Sequence, residues 1–235
     1  MINTKEPKSN DANLKETAVE NTAKRPDESS GIYVRGHIKI TDVTDKNNPV
    51  ILQDKANAIH YENFSIALAS SIADKNENFI YEMAFGNGGT SVDPTGIITY
   101  LPTNTVGQNA NLYNPTYSKI VDNTAIANPN PGSNKMTVTH IPGTVYTDIL
   151  VSCLLDYGEP NGQQLFDNSQ NLNGEYVFDE LGLRGRSTDG TIGLLSTGLL
   201  LTHVIFSPVQ KALNRLIQID YTVRIQTLTN LSSIG

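Results

Sequence analysis

Apolar residues recur at every second position through most of the chain beyond residue 30. The clearest run is RLIQIDYTVRIQTL, where Ile217, Ile219, Tyr221, Val223 and Ile225 alternate with Gln218, Asp220, Thr222, Arg224 and Gln226. Period two sends the two sets to opposite faces, so the run predicts a half-buried strand. FIYEMAFG behaves alike, with Phe79, Tyr81, Met83 and Phe85 on one face and Ile80, Glu82 and Ala84 on the other. IYVRGHIKI alternates with a phase change at Gly36. Turn-rich TDKNNP follows, and VILQDK returns, which together predict a hairpin. Pro49 suits the start of that second strand and not its middle. MTVTHIPG, TVYTDILVSCLLDYGE, EYVFDELGLRG, TIGLL and LLLTHVIFSPVQK read as further strands.

One segment has helical spacing. In NAIHYENFSIALASSIA, about residues 57–73, Ile59, Phe64, Ala67, Leu68, Ser71 and Ile72 fall near the i, i+3, i+4 pattern. Asn57 is placed to cap it, and Glu62 sits in an early turn where the helix dipole favours a negative charge. Residues from about 102 to 135 are rich in Asn, Pro and Gly and predict a long loop region, with NPTYSKIV as a strand within it. Many strands and one helix make the fold mainly β, with a β-sandwich or jelly-roll-like body. Residues 1–30 mix Lys5, Lys8, Lys15, Lys24 and Arg25 with six acidic residues and few apolar ones. Such a segment does not build a core alone. The expected organisation is an extended polar N-terminal arm, 1–30, and one β-domain, 31–235, with the arm gripping a neighbouring subunit.

Charge and composition narrow the function classes. The chain has 235 residues and a formal net charge of −7. That balance argues against binding a nucleic-acid backbone, which needs clustered Lys and Arg. No run reaches the ~18 consecutive apolar residues of a membrane span; TIGLLSTGLLLTHVIF is interrupted by Gly193, Ser196, Gly198 and His203. No apolar signal segment opens the sequence, so synthesis and residence in a cytosol-like compartment are expected. Cys153, the single cysteine, has no disulfide partner and reads as a small buried apolar residue in DILVSCLLDY.

The candidates for chemistry are few. Gly86, Gly88 and Gly89 crowd the turn after a core strand, as phosphate-cradling loops do. No Gly-Lys-Ser/Thr completes a P-loop, and SVDPTG opens no helix, so the turn reads as a glycine corner. His37, His60, His140 and His203 have no metal-type spacing. His60 is expected to make a polar contact on the helix, and His203 to face solvent or a subunit neighbour. Asp179 and Glu180 invite an acid–base reading, but neighbours on a strand point to opposite faces. A solvated face, or an ion pair with Arg184 or Arg186, is the expectation. Ser152, Ser196 and Ser207 lack a nucleophile elbow. Asp189-Gly190 marks a turn and not a calcium loop. No catalytic, cofactor-binding or metal-binding residue is assigned.

Taken in order, FIYEMAFGNGGTSVDPT, PTYSKIVDN, YVFDELGLRG and LLTHVIFSPVQKALNRLIQIDYTVRIQ form a pattern that resembles virion structural proteins of tailed bacteriophages. There a strand ends in F-G-x-G-x-T before a Pro-containing turn. A later strand carries an acidic-aliphatic-Gly-Leu phrase, and two final strands end in an alternating run. The resemblance spans about Gly31 to Thr229 and points to no single protein. It implies a non-enzymatic part of a virion, made in the host cytoplasm. Its partners would be other copies of itself and the major capsid, neck or tail proteins, without nucleic acid, membrane or cofactor. A capsid-associated cement or decoration role comes first, and a neck, tail or baseplate part second. A carbohydrate- or receptor-binding module, which wants exposed aromatics in a shallow groove, is the alternative from another class. A hydrolase with paired carboxylates is the third.

Overall fold

The computed structural model describes residues 30–160, 176–187 and 197–229. Of the expected arm over 1–30, residues 1–29 lie outside the described residues, and Ser30 opens the first strand. Eleven strands and one helix follow in order: β1 (Ser30–Asp42), β2 (Val50–Ile59), α1 (Tyr61–Ile72), β3 (Ile80–Gly86), β4 (Thr90–Val92), β5 (Ile98–Tyr100), β6 (Pro115–Ile120), β7 (Lys135–His140), β8 (Tyr146–Leu155), β9 (Tyr176–Gly185), β10 (Thr202–Lys211) and β11 (Ile217–Thr229). The fold is mainly β, as the alternation predicts. Nine strands form one curled antiparallel sheet in the order β6-β3-β9-β10-β2-β1-β11-β8-β7, and β4 and β5 form a separate hairpin. The loop region from 102 to 135 holds β6, within the NPTYSKIV segment.

The sheet turns a corner between its fourth and fifth strands. β10 and β2 share only two residue pairs, Thr202↔Ile59 and His203↔Ala58. Beyond them the register of β10 against β9 shifts between Ile205 and Val209, where Pro208 has no N–H to donate. Two carbonyls left open there are met by side chains of β2. Lys55 Nζ donates to Ile205 O at 2.6 Å and Gln53 Nε2 to Ser207 O at 3.2 Å. The corner divides a four-strand wing from a five-strand wing, and their inner faces fill one core. Met83, Phe85, Phe178, Leu183 and Phe206 come from the first wing, and Ile38, Val151, Ile219 and Tyr221 from the second. Each such side chain contributes ~2 kcal/mol or more on leaving water, so alternation along the strands decides which face turns inward.

Two details differ from the expected pattern. There is no phase change at Gly36: Val34, Ile38 and Ile40 are all buried with unbroken alternation. Gly36 holds an inward position because Asn57, its partner in register, puts its amide oxygen where a Cβ would stand. The helix also starts later than expected. Asn57 does not cap it, because residues 57–59 belong to β2, and Ala58 and Ile59 are held by the corner pairing with β10. His60 is the cap instead. Its Nδ1 accepts from Asn63 N at 3.2 Å and its Nε2–H donates to Gly107 O at 2.9 Å. The ring is fully buried, so the polar contact expected of His60 is a buried cap that ties α1 to the loop after β5. The buried face of α1 is Asn63, Phe64 and Ala67. Beside that face lies a cavity of about 260 Å³, whose lining includes Phe64, Leu68, Met136, Val138, Ile149 and Ile225.

Candidate functional site

The densest polar cluster gathers on β9. Glu180 is fully buried and its carboxylate receives four donors. Oε1 accepts from Gly88 N at 3.1 Å and Asn114 N at 2.9 Å. Oε2 accepts from Tyr113 N at 2.9 Å and His203 Nε2 at 3.0 Å. Asp179 is 3% exposed. It accepts from Gly89 N at 2.9 Å, from Thr90 N at 2.8 Å and from the Thr90 hydroxyl. The expectation of a solvated pair, or of an ion pair with Arg184 or Arg186, does not hold. Both carboxylates are spent on the backbone of the loops that cross β9.

The glycine turn thereby finds its role. Consecutive amides of a glycine-rich turn form an anion-binding concavity, and here the chain fills it with its own carboxylates. Gly86 is required because a Cβ there would meet Glu180 Oε1, with the carbonyl of Asn114 at 2.7 Å. A Cβ at Gly88 would stand 2.8 Å from Asn114 N. The sequence placed glycine where the chain turns; it carried no local signal that the turn closes on residues 90 positions away.

His203 is buried, not facing solvent or a subunit neighbour. Its Nδ1 accepts from Asn104 N at 2.8 Å, so Nε2 carries the ring proton toward Glu180. Burial pushes the Glu180 carboxyl up, but hydrogen bonds from His203, Asn114, Tyr113 and Gly88 outweigh it, and the group titrates below its ordinary range. Asp179 moves the other way. Burial raises it, the bonds from Thr90 and Gly89 offset part of that, and the Glu180 charge adds to the rise. Opposed shifts on neighbouring carboxylates are a common sign of acid–base chemistry. Here every lone-pair direction of Glu180 is filled by the protein's own N–H groups, and the cluster works as an anchor for two loops, the turn after β3 and the segment between β5 and β6.

The other candidates are also bonded internally. Arg184 pairs with Glu82, its partner in register across β3 and β9, at 3.7 Å with both side chains buried, and donates to Gly198 O at 3.1 Å. Arg186 donates to Asn76 and lies over the Phe79 ring. His37 meets Asp54 at 2.8 Å on the exposed side of the hairpin, and His140 meets Tyr146 O and Thr147 Oγ1. Ser152 donates to Asp220, and Ser207 shares a hydrogen bond with Tyr100. Ser196 and the Asp189-Gly190 turn lie outside the described residues. Cys153 is fully buried, and burial pushes its thiol up to about 12. Among the described residues no three of His, Cys, Asp and Glu converge on a metal position, and no helix is long and apolar enough to cross a membrane.

What faces outward is the rim. The two terminal strands of the sheet are built differently. β6 opens with Pro115, slips register against β3 at Phe85/Gly86, and points Lys119 inward to Glu159 and to Leu154 O at 2.7 Å. Proline, a slip and an inward charge are the devices that block strand addition. β7 pairs with β8 over six consecutive residues without a slip, and five of its six residues are exposed. Apolar side chains are also exposed on the β4–β5 hairpin and after it, among them Val92, Ile97, Leu101 and Val106. No family model, curated protein or solved structure matches the chain.

Proposed function

We propose that the protein is a non-enzymatic structural component of a tailed-bacteriophage virion, capsid-associated in a cement or decoration role ahead of a neck, tail or baseplate position. The phrase resemblance motivates the virion. The observation that carries an assembly role is the contrast between interior and rim. Asp179, Glu180, His203 and Arg184 are consumed in holding loops and strands together, while a strand edge without proline, slip or inward charge and exposed apolar loops face outward. Edges and loops of this kind bind neighbours by main-chain hydrogen bonds and lateral packing, and repetition around a particle multiplies weak contacts. Quantitative mass spectrometry of purified particles tests the reading. Many copies per particle are expected for a shell position, and a few to a few dozen for a neck or tail position. Absence from the particle overturns it.

One cleft favours a carbohydrate- or receptor-binding reading as the second. Where β1 and β2 part, a cleft of about 530 Å³ is bordered by Tyr33, Arg35, Tyr61, Glu62 and Val106. Tyr33 and Tyr61 are both exposed, at 41% and 63%, and such rings stack on sugar faces. A glycan array with the purified chain decides this reading. A signal lost in Tyr33→Ala and Tyr61→Ala supports it, and no signal removes it.

A further inference from the structure

We propose that β7 is the surface through which two copies of this chain join. The two Lys135–His140 strands pair antiparallel about a two-fold axis at Val138. The inference rests on the assembly role above and names the surface and the partner.

The hydrogen bonding shows which groups point outward. Met136 N points away from β8, since it donates to Asn123 Oδ1 at 3.2 Å. By the period of a strand, Val138 and His140 turn their N–H and C=O groups to the same outer side. Pairing Val138 with Val138 sets Met136 opposite His140 of the second copy, and both become hydrogen-bonded pairs once the exposed Asn123 side chain swings off Met136 N. Thr137 falls opposite Thr139, and threonine pairs are favourable across strands. Lys135 passes beyond the end of the opposite strand, so no like charges meet. Strand KMTVTH is therefore self-complementary in this register, as an isologous two-fold contact requires.

The side chains add an apolar reason. Val138 is 68% exposed, although it borders the apolar cavity beside α1. A strand added to β7 brings a second Val138 beside the first and covers the open flank of that cavity. β6 cannot serve in the same way, because its proline, its slip and the buried Lys119 disrupt a continuous ladder.

The test uses the full chain with Val138→Cys, oxidised in solution, beside Ser118→Cys on β6; native Cys153 is buried and stays silent. A disulfide-linked dimer is expected from Val138→Cys in at least about tenfold excess over Ser118→Cys, since the Cα atoms of an opposed hydrogen-bonded pair stand about 5.5 Å apart, within the reach of a disulfide after a small local shift. Val138→Lys, at an exposed position that leaves the fold intact, is expected to sediment as the 25.6 kDa monomer. Equal cross-linking at both positions, or unchanged association of Val138→Lys, overturns the proposal. Particle copy number is read separately, so a protein abundant in virions without β7 cross-linking defeats only this contact. Cross-linking in a protein absent from virions defeats only the virion role.

Discussion

Glu180 and His203 meet on one face of the β9–β10 pair at 3.0 Å, both fully buried. Glu180 is opposite Ile205 in register, so His203 is its diagonal neighbour. Through this pair Gly88, Asn104, Tyr113 and Asn114 are fastened by their backbone amides. One carboxylate and one imidazole thus hold loops that are up to 92 residues distant from Glu180 in sequence.

Replacing Glu180 with Gln tests the anchor. An amide nitrogen would face N–H groups and leave buried donors unpaired, at a cost of about 2–4 kcal/mol. The strands should persist by circular dichroism, while the Gly88, Tyr113 and Asn114 amides exchange faster. An unchanged melting temperature contradicts the role.

The same variant carries a pH signature. The folded-state value of Glu180 is depressed below its ordinary 4.5. Its contribution is therefore complete above that pH and lost as pH falls through the folded value. Asp179, raised above its ordinary 3.8, has the opposite slope: it favours the fold below 3.8, and that is lost as pH rises through its folded value. The stability gap between wild type and Glu180→Gln should narrow as pH falls below 4.5, read by denaturant melts at several pH values. A constant gap contradicts the assignment.

Gly86→Ala places a methyl against the Glu180 carboxylate and the Asn114 carbonyl. A loss of about 2–3 kcal/mol is expected, since neither neighbour can retreat without breaking its own hydrogen bonds. Gly31→Ala, with nothing near its Cβ, is the neutral comparison. Similar melting of the two variants would show that the turn does not depend on close approach.

Much of this body was legible in the chain. Alternation in residues 217–226 placed Ile217, Ile219, Tyr221 and Val223 inward, and all four are fully buried. Local pattern missed two kinds of feature. Asn57, Ala58 and Ile59 read as helix because their spacing is helical, but strand pairing at the corner outweighs that propensity. Asp179, Glu180 and His203 read as solvent-facing because charged residues usually are. Their partners are backbone amides of distant loops, which leave no mark in the sequence beside them. The glycine cluster was the one available trace, since glycines let another group approach the backbone closely.

Lys211 is fully buried, and its amine donates to Ala212 O at 3.0 Å. Burial lowers it to about 8, against the pull of Glu159 and Asp156. The folded chain gives up this proton before the unfolded chain does, so stability should rise with pH between about 8 and 10.5. Lys211→Met should be more stable near neutral pH by about 1–3 kcal/mol and lose that rise. Equal or lower stability contradicts the buried-charge account.

Ile219→Asp puts a charge at a position with no exposure. A loss above about 4 kcal/mol is expected, enough to unfold the chain or prevent assembly. Wild-type melting would contradict the inward face assigned to β11.

The proposed virion role is open to electron cryo-microscopy of purified phage particles. Symmetry-related copies of the nine-stranded body are expected on the particle, touching their neighbours through exposed rims and loops. A reconstruction that assigns every protein density and contains no such body would contradict it.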